Sequence, residues 1–396
     1  MDISGHILSA MTALDLRLET DRFGPFTFRL GLDPGALALP LARVEDAWKM
    51  FSASPLAQVA NQLQREVLVQ SVFGTNTIEG ATLTEEETRR ALDADPGKVQ
   101  AEQEVRVRNI KAAYDLAVRS AETDGWRLDV DYIRAVHAEI CRDLPHPDNR
   151  PGLFRDNPKE RPTVVGDQDH GGIYRPPQYR RDIDRLMDGL VDWHQGLMDA
   201  GISPLLRAPL VHLYFELIHP FWDGNGRVGR VLEATLLRQA GYRYAPFALA
   251  KFYQEQIHRY FALFNHCRKA AGRDEPFPNQ DFVTFTLEGL RVVIERLHGR
   301  VNELVTVLLF DAVLRRELET GKINPRQYAI VRHLMDSGRA LSPAELRLEP
   351  WYQTMYAHLT EKTRQRDLRG LLDTGFLGPG ADGRLRPGFV GNRRAG

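Results

Sequence analysis

His219-Pro220-Phe221-Trp222-Asp223-Gly224-Asn225-Gly226-Arg227-Val228-Gly229-Arg230 is the stretch on which the reading of this 396-residue chain turns. It reads as the end of one helix, a polar glycine-rich loop and the start of another. Upstream, Ser203-Pro204 opens the first helix with a capping side chain and a first-turn proline. Pro220 stops that helix directly after His219. The glycines of the loop expose backbone N–H groups where the next helix begins, and a helix N-terminus attracts phosphate. Arg227 and Arg230, three apart, project from one helical face. Asp223 is a hard oxygen ligand suited to Mg²⁺, which takes one or two carboxylates plus phosphate oxygens. A histidine beside such a cradle can act as a general base near neutral pH. Together these residues suggest a nucleotide held by its metal and phosphates, with a hydroxyl activated in line.

Outward from the loop the pattern is almost wholly helical. Apolar spacing predicts helices over 41–72, from Thr84 through helical pieces to about 118, and over 130–143, 179–200 and 205–218. Thr84 and Glu87 have capping-box spacing. Beyond the loop the helices predicted are 227–239, 253–271, 279–297 and 304–320. A short strand is expected at 26–30. Between 151 and 177, two extended pieces joined by Gly166-Asp167-Gln168-Asp169 read as a β-hairpin, carrying the only well-supported strands of the first 300 residues. Gly321-Lys322-Ile323-Asn324-Pro325 marks a boundary. After it come short helices over 326–336, 343–346 and 362–373, then a small hairpin. Three helices and a β-wing make a winged-helix module.

Composition excludes several classes. With 43% hydrophobic and 27% charged residues, the chain is ordinary globular material. A net charge of −1 argues against a dominant nucleic-acid or membrane-surface role. The two cysteines, Cys141 and Cys267, read as buried thiols of a reducing compartment. Met1 to His6 lacks the basic start and apolar core of a secretory signal, and no apolar run is long enough to span a bilayer. The expectation is a cytoplasmic protein.

The quoted stretch resembles the Fic family signature, His-Pro-Phe-x-Asp-Gly-Asn-Gly-Arg-x-x-Arg, at every defined position. The upstream helix 205–218 and the stretches Gly152-Leu153-Phe154-Arg155 and Tyr174-Arg175-Pro176-Pro177 also look like this family, and the resemblance covers roughly residues 60 to 270. It implies a mainly α fold: a Fic helical core with a β-hairpin flap, followed here by the winged helix. The expected organisation is an N-terminal helical region over 1–110, the catalytic core over 111–300, a linking helix over 301–322, the winged helix over 323–388 and a tail over 389–396.

The resemblance implies a protein adenylyltransferase that moves AMP from ATP onto a Ser, Thr or Tyr hydroxyl of a target protein. His219 is then the base and Asp223 holds Mg²⁺ on the α- and β-phosphates. Asn225 and the N–H groups near Gly224 and Gly226 form the anion hole, Arg227 contacts the phosphates, and Arg230 grips the γ-phosphate. Phosphate-transferring relatives of the Doc type carry Lys where this chain has Gly226, which favours AMP transfer. Tyr253 and Tyr260 fall where the family lines the adenine end. Thr163, Val164 and Val165 fall in the flap that aligns an extended target segment by strand addition.

Thr75-Asn76-Thr77-Ile78-Glu79-Gly80 resembles the family's inhibitory motif, in which Thr75, Glu79 and Gly80 are the defining positions. There the glutamate competes with the γ-phosphate for one guanidinium, here Arg230. In some relatives the same glutamate serves removal of AMP, and others transfer UMP or phosphocholine. Automodification and a homodimer are further partner expectations.

Plainer readings stand beside these. Alone, His219 is a helix C-terminal cap, and Arg227, Arg230 and Glu79 are a solvated face. His212, Glu216 and His219 have the spacing of a metal site, but the loop accounts for His219, and His212 with Glu216 form a pair along the helix. Buried tyrosines on a helix are usually core. In the winged helix, Lys362, Arg364, Arg366 and Arg369 form a basic stripe diluted by Glu361, Asp367 and Asp373. DNA is therefore a candidate partner on equal terms with protein, and a DNA-binding regulator with a nucleotide-sensing core is the rival from another class.

Overall fold

Several helix starts follow local capping chemistry in the computed structural model, which describes residues 14–95, 101–145, 149–380 and 382–391. Both the first residues and the end of the tail lie outside the described residues. Strands β1 (Leu16–Glu19) and β2 (Pro25–Phe28) pair antiparallel, with Leu16 opposite Phe28. Asp33 caps α1 (Pro34–Ser52). Helix α2 (Ala60–Ile78) follows, and a reciprocal box between Thr84 and Glu87 opens α3 (Glu85–Asp93). Next come α4 (Glu102–Ala121), α5 (Val130–Ile140), α6 (Arg180–Asp199), α7 (Pro204–Ile218) and α8 (Asn225–Gln239). Three more helices, α9 (Ala245–Glu255), α10 (Ile257–Gly272) and α11 (Gln280–Glu319), complete the series.

The chain divides into two compact units, and α11 runs through both. The larger comprises residues 1–54 and 60–298. Its central element is α8, which packs against α2, α4, α5, α7 and α9 and is buried along nearly its whole length. The smaller unit comprises 55–59 and 299–396. It holds α12 (Pro325–Ser337), α13 (Pro343–Leu348), α14 (Pro350–Met355) and α15 (Glu361–Asp373), followed by the hairpin β3 (Leu377–Pro379) and β4 (Leu385–Pro387). Leu341 bridges Leu385, extending the hairpin by one edge. Its core joins Ile330, Leu334, Leu346, Tyr352, Leu371 and Phe376.

The mainly α class holds, and several details differ from the sequence reading. The helix expected over 41–72 is two, because Pro55 disfavours helical backbone at the residue before it. The segment 253–271 is likewise split at Gln256. Conversely, α11 continues through 298–303, where a single Gly299 costs about 1 kcal/mol without breaking the helix. The expectation that the first strands lie only in the 151–177 hairpin is corrected: the regular strands are β1 and β2, and the hairpin holds one bridge, Val165 to Tyr174. Prolines at 162, 176 and 177 remove ladder donors on both sides of that bridge. The helix α14 has no counterpart in the periodicity.

Candidate active site

The signature loop is fixed by its own backbone. His219 ends α7 in the left-handed conformation (φ 51°, ψ 61°), which turns its side chain out of the helix line. Phe221 N–H donates to Asn225 Oδ1 at 2.9 Å, and Asn225 Nδ2 returns a bond to Phe221 O at 2.8 Å. The Asn225 side chain thus staples the loop, a different task from the anion contact the resemblance implied. Gly224 caps α8 at φ 81°, where a Cβ would meet Cys141 and Ile140 at 3.3–3.4 Å. No side chain caps this end, so its first-turn N–H groups are open to an anion.

Along α8, Arg227, Arg230 and Glu233 form a buried charged row, and each must be compensated. Arg227 donates to Asp223 at 2.8 Å, while its Nε and Nη1 have no partner. Arg230 donates to Glu79 Oε1 at 2.7 Å and to Thr75 O at 3.3 Å, and its Nη1 reaches Tyr260 Oη at 3.3 Å. Glu233 accepts from Tyr253 Oη at 2.9 Å and faces His212 Nδ1 at 3.1 Å. Burial pushes the Asp223 carboxyl up, but the Arg227 charge and hydrogen bond outweigh it, so its pKa lies below the usual range. Asp223 remains 45% exposed on its side chain, leaving an ionised oxygen accessible.

Glu79, Val165, His219, Gly226, Arg230 and Tyr260 line one cavity of about 300 Å³. Thr75 is buried beside it, its hydroxyl 3.0 Å from that of Tyr114. Gly80 ends α2 at φ 82°. Gly226 lies so close to Glu79 that a Cβ there would be 2.5 Å from its Oε1. Tyr253 does not line the cavity. It is fully buried, stacked behind Tyr260 with ring centroids 4.7 Å apart, so it belongs to the core. Contrary to the pairing expected along α7, His212 bonds to Tyr260 and Glu233, while Glu216 faces His219 Nδ1 at 3.5 Å. Among the described residues, no three His, Cys, Asp or Glu side chains converge as a metal site.

At the flap, Val165 exchanges both main-chain bonds with Tyr174 (2.9 and 2.8 Å). Alternation then turns the N–H and C=O of Val164 outward, and its side chain is half exposed. Thr163 is held by Gln178 through N–H and by Asn157 through its hydroxyl. The tip is tied down by Asn265, which donates to Gly172 O at 2.7 Å, and by His170, whose Nε2 lies 2.9 Å from His258 Nδ1.

Several residues that support the site had no sequence signal as such. Arg155, fully buried, donates to His219 O at 2.7 Å and Ile218 O at 3.3 Å and bonds Asn157. His137 bonds Asp223 O through Nε2 at 3.1 Å and accepts from Gly152 N–H at Nδ1, while its ring stacks on Phe221. These bonds fix the neutral tautomer, and burial holds its pKa down to about 4. The stretch Gly152–Arg155 contained two of these partners but not their long-range targets.

The helical core thus brings His219, the uncapped glycine-rich start of α8 and the buried Arg230 together at one cavity. Residues 127–237 match the sequence profile of the Fic/DOC family. It is 30% identical over 230 residues to protein adenylyltransferase fic-1 of Caenorhabditis elegans, covering 54% of this chain and 43% of that protein. Against protein adenylyltransferase Fic of Nematostella vectensis it is 27% identical over 220 residues, 55% of this chain and 47% of the relative. The chain thus spans less than half the length of these curated relatives. A Fic family protein from Desulfovibrio desulfuricans G20 shares the fold, with a TM-score of 0.56 at 20% identity over 90% of this chain and 96% of that one.

Proposed function

We propose that the protein is an adenylyltransferase that moves AMP from ATP to a Ser, Thr or Tyr hydroxyl of a protein target, and that Glu79 restrains it. The observation that carries this reading is the Glu79–Arg230 pair on the wall of the cavity that His219 and Gly226 also line. The target oxygen attacks the α-phosphorus, the bond to the β-phosphate oxygen breaks, and pyrophosphate leaves. His219 takes the hydroxyl proton at Nε2, with Glu216 lying 3.5 Å from Nδ1. The open N–H groups at the start of α8 and the unpartnered Nε and Nη1 of Arg227 offer donors for phosphate oxygens. Arg230 grips the γ-phosphate once Glu79 yields. The accessible, ionised Asp223 fits Mg²⁺, which would neutralise phosphate charge when bound. Tyr260 and the apolar wall beside it, Phe261 and Phe264, suit the adenine end. The outward main chain of Val164 offers an edge to an extended target segment.

ATP labelled at the α-phosphate tests the reaction class. Label retained on protein from α-labelled but not γ-labelled ATP supports AMP transfer, and the reverse pattern assigns phosphate transfer. Label that disappears from premodified target on adding the protein would favour AMP removal instead.

A second reading concerns the smaller unit. Helix order, the hairpin and the Leu341–Leu385 bridge support the winged-helix assignment. Lys362, Arg366 and Arg369 are exposed at i, i+4 and i+7 on α15, so they share one face open to phosphates. Arg364 instead leans on Tyr356, and Asp367 is buried, anchoring Arg326, Tyr356 and Asn324. A DNA shift that weakens steeply with salt and is lost in Lys362→Gln/Arg366→Gln/Arg369→Gln supports DNA binding; no shift assigns the stripe to protein contact or to solvent.

A further inference from the structure

A second cavity of about 270 Å³ lies elsewhere in the larger unit, bounded by α2, α4, α8 and α9. Val67, Leu68, Val118 and Phe247 give it apolar walls. Its charges are unevenly satisfied. Asp115 is paired with Lys111, and Glu122 with Nη2 of Arg238. Among the described residues Arg238 Nε is buried with no hydrogen-bond partner, while Arg243 is exposed at the cavity rim and forms no ion pair. The donors left over are therefore cationic: the buried Nε of Arg238 and the solvent-facing guanidinium of Arg243.

Strain is concentrated at the same wall. Tyr244 has φ 64° and ψ −54°, closed by a 2.7 Å bond from Ala245 N–H to Arg243 O. This is a γ-turn of positive φ, rare for a bulky side chain and costing on the order of 1–3 kcal/mol. Such backbone persists where surrounding structure holds a ligand clamp in shape.

The cavity also touches the brake. Tyr114 lines it and bonds the Thr75 hydroxyl at 3.0 Å, while Ser71, one turn earlier on α2, bonds Phe247 O. Thr75 O accepts from Arg230, and Glu79 follows one turn later, just past the end of α2. At Gly74 a Cβ would lie 2.8 Å from the main chain of Ala250 and Lys251, so α2 and α9 are packed in close main-chain contact.

We propose that this second cavity is an effector site for a small aromatic carboxylate, whose ring packs among the apolar walls and whose carboxylate meets Arg238 and Arg243. The open cavity and the Glu79–Arg230 pair occur in the same conformation. A ligand that fits this conformation selects it and tightens the brake. The coupling half of the inference rests on the inhibitory reading of Glu79, whereas the binding half does not.

The probe is indole-3-acetate, compared with uncharged indole-3-acetamide, by titration calorimetry on the full chain. The acid should bind at one site about tenfold more tightly than the amide, the worth of one charge-assisted hydrogen bond. Arg243→Gln should erase that difference, and Val118→Trp, which fills the cavity, should abolish binding while a saturating ATP analogue does not compete directly. Equal binding of acid and amide, no saturable binding, or retention in Val118→Trp overturns the site. In α-labelled ATP assays the acid should slow self-labelling of the wild type and leave Glu79→Gly unchanged. Binding without that slowing overturns the coupling. Equal labelling of wild type and Glu79→Gly without ligand indicts the brake reading itself and leaves the binding result standing.

Discussion

Glu79 Oε1 lies 2.7 Å from Nη2 of Arg230, joining the residue just past α2 to the second turn of α8 across 151 residues of sequence. The arginine is buried and its third donor, Nε, is unpartnered, so the carboxylate is its main neutralising charge. A phosphate reaching this guanidinium must displace Glu79, and the two anions compete for one fork.

Gly226 sits within this competition. A Cβ at 226 would stand 2.5 Å from Glu79 Oε1 and 3.2 Å from Arg230 Nη1. The obstructing atom is the free end of a flexible side chain, so Glu79 is the group that shifts. Gly226→Ala should raise self-labelling above wild type and leave it below that of Glu79→Gly. Labelling unchanged from wild type would mean that Glu79 keeps its hold on Arg230.

Gly74 makes the opposite case, because main chain stands in the way. A Cβ there would meet Ala250 and Lys251 backbone at 2.8 Å, and neither can rotate aside. Gly74→Ala should destabilise the larger unit by about 1–3 kcal/mol despite the better helix propensity of alanine. Denaturant melts of the full chain check this through the shift in midpoint at constant slope.

His137 sets a pH dependence of stability. It is buried and neutral, with its pKa held at about 4 against an ordinary value near 6.5. Above 6.5 neither state binds the proton and the full stability is present. As pH falls from 6.5 to 4 the unfolded chain takes up a proton that the folded chain refuses, and stability drops by about 3 kcal/mol over that window. His194, held at about 4 by burial and then by Arg207, acts with the same sign. Unfolding free energy measured from pH 8 to pH 4 should show this loss, and His137→Gln should reduce the slope by about one proton.

Arg155 supports the turn that presents His219. Its guanidinium binds the carbonyls of His219 and Ile218 and reaches Asn157, which holds Thr163 in the flap. Removing it leaves two buried carbonyls unmatched, at about 1–3 kcal/mol each. Arg155→Lys should keep one contact, recover most of the stability and lower kcat more than it raises KM. An equal effect on both would assign Arg155 to general folding alone.

How much of this was legible in the sequence depended on the range of the interaction. The loop 219–230 was readable because its information is local: a proline stop, glycines at the next helix start and arginines three apart. Pairing of Glu79 with Arg230 came through the family motif, since no local rule links residues so distant. Periodicity marked Tyr253 and Tyr260 alike as buried helix positions. It could not say that one faces the cavity and the other stands a layer behind, because that depends on the tilt of α10 over α7. The family resemblance made Asn225 an anion ligand, whereas the tight loop engages both Oδ1 and Nδ2 of its side chain. Arg155 and His137 act through backbone atoms on a separate element, which leaves no pattern along the chain. The single bridge of the flap fell below what alternation can resolve, since prolines interrupt the run.

The central claim is that His219 performs adenylyl transfer and Glu79 withholds it. Incorporation of label from α-labelled ATP, followed in wild type, Glu79→Gly and Glu79→Gly/His219→Ala, tests both parts in one experiment. Weak labelling of wild type is expected, with at least about tenfold more for Glu79→Gly and background for the double variant with its thermal unfolding unchanged. Equal labelling of wild type and Glu79→Gly, or persistent labelling of the well-folded double variant, would contradict it.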